Sequence, residues 1–160
     1  MKIRVWGLAL IGLVSMAALA SDSSTVKYPE GWRQWPHVKS MLIEAGHPLS
    51  GLVQGLHHIY ANPAAMRGYK KRPFPNGSVI VFDLLEPVAG DKAMTEGARK
   101  AVIVMEKNSK RYAATGGWGF EVFGGESKTD RKVGANAATA CFDCHTAKKD
   151  QDFVFSEWRP

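Results

Sequence analysis

The stretch Pro73-Phe74-Pro75-Asn76-Gly77-Ser78-Val79-Ile80-Val81-Phe82-Asp83-Leu84-Leu85 decides the fold class. Phe74-Pro75-Asn76-Gly77 has the chemistry of a turn, since Pro presets φ and Asn-Gly tolerates positive φ. Residues 78–85 are rich in β-branched and aromatic side chains and read as a strand, with Pro87 expected to close it. Two more such runs follow, Ala101-Val102-Ile103-Val104-Met105-Glu106 and Trp118-Gly119-Phe120-Glu121-Val122-Phe123. A polar turn at 107–110 and glycines around the last run keep the connections short, which predicts an antiparallel sheet. In the last run Trp118, Phe120 and Val122 alternate, as on a strand with one buried face. The same period puts Ile80, Phe82 and Leu84 on one face of the first run.

Upstream, Trp32, Trp35, Val38, Met41, Leu42 and Ala45 recur at three- and four-residue steps. That spacing predicts an amphipathic helix ending at Gly46, with Pro48 beyond it. Residues 52–60 carry no clear pattern. Asn62 reads as a helix N-cap with Pro63 at the first helical position. At the other end, residues 152–158 are aromatic-rich and are expected to pack back as an extended piece. The fold class is α+β: an antiparallel β-sheet with flanking helices.

Composition agrees with one domain. The 160 residues are 45% apolar, 10% aromatic and 22% charged, with sixteen Gly and eight Pro scattered without period. This excludes disordered, collagen-like and low-complexity classes. Lys2 and Arg4, the apolar run 5–18 and Ala18-Leu19-Ala20 read as a secretory signal peptide. Residues 1–20 are therefore expected to be cleaved, leaving residues 21–160 as a single exported, periplasmic domain with no membrane segment. Removing Lys2 and Arg4 from 21 basic residues leaves 19 against 15 acidic, a net charge of +4. Its one basic knot, Lys70-Lys71-Arg72, is too short and isolated to predict nucleic-acid binding, and reads as a solvated loop or a docking patch for an acidic redox partner.

The chemistry sits at Cys141-Phe142-Asp143-Cys144-His145, which holds both cysteines of the chain. In a Cys-x-x-Cys-His run the two thiols can add to the haem vinyl groups while the imidazole binds iron. Structural zinc would need a second pair of Cys or His ligands, and there is no second Cys pair. A thioredoxin-type pair belongs at an early strand-to-helix junction rather than near the C-terminus. The motif thus predicts one covalent haem c per chain, cofactor-bound through Cys141, Cys144 and His145, with His145 the metal ligand. Residues 146–160 contain no Met or His to act as a second axial ligand. Cytochromes c′ built as helical bundles share that late motif, but the three strands do not fit a bundle.

The segments His57-His58-Ile59-Tyr60-Ala61-Asn62-Pro63, residues 74–83, Gly116-Gly117-Trp118-Gly119-Phe120 and the late CFDCH resemble the cytochrome P-460 superfamily. The resemblance runs from Tyr28 to Trp158 and implies one of two branches. In the P-460 enzymes a strand lysine cross-links to the haem edge and hydroxylamine is oxidised. In the beta-type cytochromes c′ no cross-link forms, and a phenylalanine caps a five-coordinate haem that binds NO and CO. Phe82 stands at the lysine position, and no lysine lies between Ser78 and Leu85. The resemblance therefore implies the beta-type branch, with NO and CO as ligands, Phe82 over the open iron and a homodimer as the assembly. The family's second capping aromatic is replaced by Leu52, Val53 and Leu56.

On residue chemistry alone, Phe82 offers neither a lone pair to iron nor a hydrogen to a bound ligand, which favours NO and CO over dioxygen. Phe120 is expected to line the pocket, with Glu121 on the opposite face. Two other readings stay open at this point. An enzyme oxidising hydroxylamine or NO would use Glu121 as proton acceptor. A plain electron carrier would complete its iron with Met66, Met105 or one of His37, His47, His57 and His58. Of the adjacent His57 and His58, at most one can face the haem.

Overall fold

The computed structural model describes residues 25–160. The proposed signal peptide, residues 1–20, lies outside the described residues. Five strands form one antiparallel sheet in chain order: β1 (His37–Ile43), β2 (Gly55–Ala61), β3 (Val79–Gly90), β4 (Ala93–Lys107) and β5 (Trp118–Gly124). Short helices α1 (Ser50–Val53), α2 (Pro63–Lys70) and α3 (Asp143–His145) flank it. The class is α+β, as expected.

The helix expected over 32–45 is a correction. Trp32–Gln34 forms a single 3-10 turn, and β1 follows it. Pro36 is the reason: it lacks an N–H and disfavours helical backbone before it, and Trp35 is extended with ψ 158°. Residues beyond Pro36 then pair with β2 from His37↔Tyr60 to Ile43↔Gly55. The unread stretch 52–60 holds the end of α1 and most of β2, whose residues Gly55, His57, Ile59 and Ala61 are buried in strict alternation. That period was masked because a histidine occupies one of its core positions.

β3 and β4 run past the expected ends. The ladder shifts between Leu84 and Pro87, so Pro87 sits where a regular N–H donor is not required. The hairpin tip, Asp91 and Lys92, has φ of 44° and 58°, the two positive values a tight two-residue turn needs. Asn62 caps α2 as expected: its Oδ1 accepts from Ala65 N at 2.8 Å and from Val79 N at 3.1 Å.

Each sheet face carries its own core. On one, Val26, Trp32, Tyr112 and Phe123 cover Val81, Val102 and Val104. On the other, Ile59, Ile80, Met105, Trp118 and Phe120 pack with Ala65 of α2, Phe74 and Val154. Val154 belongs to the C-terminal segment, which packs back without regular structure, as expected. On this second face one row is different. Phe82, Ile103 and Val122 are aligned across β3, β4 and β5 in the middle of the sheet, yet each is only half-buried.

Candidate functional site

The helical run carrying Cys141, Cys144 and His145 lies against that second face, where Cys141 and Phe142 pack on its core. Cys141 and Cys144 are three residues apart in helical backbone, so they share one side of the run. The His145 ring sits 5.0 Å from Phe120 and 5.0 Å from Phe155. Its Nδ1 is 2.7 Å from the Phe153 carbonyl oxygen. A carbonyl can only accept, so Nδ1 carries the hydrogen and Nε2 presents a lone pair. Burial lowers the His145 pKa, partly opposed by the Phe153 carbonyl, and so favours the neutral ring.

That carbonyl is held in place by an unusual piece of backbone. Asp152 and Phe153 both take left-handed φ, 53° and 64°, a conformation that costs non-glycine residues free energy and persists only where surroundings enforce it. Here they do. Lys107 Nζ reaches Asp152 Oδ1 at 2.6 Å, Phe74 N donates to Asp152 Oδ2 at 2.8 Å, and Trp118 Nε1 donates to the Asp152 carbonyl at 2.8 Å. Lys107 is 7% exposed, also donates to the Gly116 carbonyl, and lies over the Trp118 ring. The Phe153 ring passes so close to Gly116 that a Cβ there would stand 2.4 Å from it.

At the far end of the half-buried row is Phe82, with His57 stacked on it at 4.0 Å between ring centroids and 18° between planes. Phe120 pairs with Met105 and Met105 with Ile80, so Phe82 lies two strands and one register row away. Strand spacings put that separation at about 12 Å between Cα atoms. The floor between the two walls is apolar, made of Ile103 and Val122.

A family model described as cytochrome P460 matches residues 29–156. The chain belongs to the cytochrome P460 family. No curated protein matches it. The cofactor implied for a cytochrome P460 family member is haem. Its residues fit that group: a neutral imidazole with a free Nε2, two thiols on one helical side, and an apolar floor flanked by aromatic rings. Among the described residues, no three His, Cys, Asp or Glu side chains cluster as a multi-ligand metal site. Burial, with Glu121 and Cys144, pushes the Cys141 thiol up to about 11, whereas a redox-active thiol is shifted downward.

The other sequence candidates of this cytochrome P460 family member separate cleanly. Phe120, not Glu121, meets His145. Glu121 is buried, paired with Arg131 at 3.0 Å, and accepts from the Val133 and Val122 N–H groups. His58 lies on the opposite face from His57, bonded to Ser40 Oγ at 2.6 Å and Glu96 at 3.2 Å. His37 bonds Ser40, and His47 caps Leu49 N. Met105 is core and Met66 packs beside it. Lys70 lies over the Trp158 ring. Sequence reading missed Asp152 and Lys107, which are 45 residues apart and have no local signature. His57 entered that reading only as one of four histidines that could complete the iron; its burial beside Phe82 carried no signal beyond a polar residue in an apolar alternation.

Proposed function

We propose that this protein is a mono-haem c-type cytochrome of the periplasm that binds NO or CO, for sequestration, sensing or transport. Haem c would be attached by thioethers at Cys141 and Cys144, with His145 Nε2 as the one protein ligand to iron. The bound group would supply an iron at which a small ligand could bind. The observation that carries the reading is the pairing of the His145 Nδ1–H with the Phe153 carbonyl, which leaves Nε2 aimed away from that bond and uncommitted.

This chain's residues account for the remaining requirements. Phe120 and Phe155 fix the His145 ring plane, and the Asp152 turn fixes its hydrogen-bond acceptor. Phe82 walls the far side without offering a lone pair, which supports a five-coordinate iron in the branch lacking a lysine cross-link. The hydroxylamine- or NO-oxidising reading is less well supported, because Glu121, its proton acceptor, is held by Arg131 and backbone N–H groups. A homodimer and an acidic redox partner remain part of the proposal on the family resemblance and on the Lys70-Lys71-Arg72 patch.

The test is the optical spectrum of the reduced protein before and after CO, with the mass of the haem peptide. A high-spin spectrum that sharpens with CO, and a peptide carrying haem only through two thioethers, are expected. A low-spin spectrum indifferent to CO would refute gas binding, and a lysine–haem bond would move the protein to the enzyme branch.

A further inference from the structure

His57 is 2% exposed, yet its Nδ1 has no hydrogen-bond partner, and no described residue bonds either ring nitrogen. Buried polar groups are nearly always paired, so an orphan of this kind needs an explanation. Structure alone supplies none. The strand would be served as well by a leucine, as the neighbouring core positions Ile59 and Leu84 show. His58, one residue on, is fully engaged with Ser40 and Glu96, so the sequence builds a bonded histidine readily where one is wanted.

What distinguishes His57 is its place. It stands on the second sheet face, the face that carries Phe120 and the His145 segment, flat against Phe82 in a wall of β2 and β3 side chains. Burial, with the nearby His58 and Lys39, pulls its pKa down to about 4, so the ring is neutral at ordinary pH. A neutral imidazole holds one N–H donor and one lone pair. Other members of that wall, Phe82, Ile59 and Leu84, offer neither.

We propose that His57 is the specificity-determining polar group of the ligand pocket, donating its N–H to the small ligand held at the iron. The proposal rests on the haem reading above and deepens it. The pocket is then apolar except at one point, where a bound ligand's outer atom accepts a hydrogen bond, so its preference is no longer the purely apolar one that Phe82 alone would set. Phe82 sets the tilt of the imidazole by stacking. His57 itself does not ligate iron.

The experiment uses the haem-loaded full protein with His57→Leu and His57→Gln variants. It reads the C–O stretching frequency of the CO complex and the NO release rate. Leu removes the orphan nitrogens at near-equal volume and is expected to fold at least as well as wild type; Gln keeps a donor. The expected result is a C–O stretch shifted upward and NO released about twofold to tenfold faster in the Leu variant. The Gln variant should fall close to wild type. Identical frequencies and rates in all three proteins, with CO bound in each, would overturn the proposal while leaving gas binding intact. A wild type that is low-spin and becomes high-spin in the Leu variant would also overturn it, by making His57 an iron ligand. Absence of CO binding in every variant refutes the gas-binding reading and this proposal with it.

Discussion

Asp152→Asn tests whether the backbone turn beneath His145 is held by charge. Asp152 and Lys107 form a close pair, 2.6 Å apart, with side chains 13% and 9% exposed. Breaking such a pair leaves an uncompensated buried charge and costs about 3–5 kcal/mol. Asparagine is nearly isosteric and accepts left-handed φ more readily than most residues, so the backbone itself is not penalised. Its amide, however, has one accepting oxygen where the carboxylate had two. Lys107 Nζ and Phe74 N are both donors, so one of them must face the new NH₂ group. The expected loss is therefore near the lower bound, about 3 kcal/mol, or roughly 10 °C in Tm for a domain of this size. Thermal unfolding of the haem-loaded protein measures it, and the iron–histidine stretching frequency reports whether the Phe153 carbonyl has moved off His145. The Lys107→Met, Asp152→Asn double variant should lose much less than the two singles combined, because it removes both charges. A loss under about 1 kcal/mol, with the singles adding and the stretch unchanged, would refute the argument that this ion pair positions the turn.

His57 makes the fold acid-sensitive in a defined window. Its pKa is near 4 when folded and about 6.5 unfolded. The unfolded chain thus binds the proton more readily, and stability falls as pH drops from about 6.5 toward 4, by up to roughly 3 kcal/mol. His57→Leu should flatten that part of a urea-unfolding series run against pH; an unchanged slope would contradict the burial argument. Gly116→Ala combines a φ of 63° with a Cβ 2.4 Å from the Phe153 ring. It should lower stability by about 1–3 kcal/mol and perturb the haem spectrum, whereas a normal Tm and spectrum would show that Phe153 yields freely. Asn62→Ala removes the α2 cap together with its bonds to Val79 N and the Gly77 carbonyl, for an expected loss of about 1–2 kcal/mol in chemical denaturation. Tyr69→Phe removes a 2.6 Å bond to Ser156. About 1 kcal/mol is expected, read as a lower Tm.

Much of the architecture was legible because its signals are local. The 74–77 turn, the strand cores at 78–85, 101–106 and 118–123, and the Asn62 cap each depend on residues within a few positions of one another. The reading failed where a long-range partner overrode a local period. Residues 37–43 carry three- and four-residue apolar spacing, yet they form a strand because Pro36 breaks the helix and β2 offers an edge. Residues 55–61 were unreadable for the opposite reason: their alternation is strict in burial but interrupted in hydropathy by His57.

The same division runs through the site. The sequence by itself determined the chemistry within reach of Cys141-Phe142-Asp143-Cys144-His145: two thiols three residues apart and an imidazole beside the second. Alternation likewise determined that Phe82 shares a face with Ile80 and Leu84, and that Phe120 and Glu121 point apart. Only the tertiary structure decided which nitrogen of His145 is free, because that depends on a carbonyl at Phe153 presented by Asp152, itself held from Lys107, Phe74 and Trp118. It alone decided that His57 rather than His58 stands by Phe82, buried and unbonded. Spacing along the chain sets which side chains can share a face. Hydrogen bonds between distant segments, and the desolvation that burial imposes, set what those side chains can do.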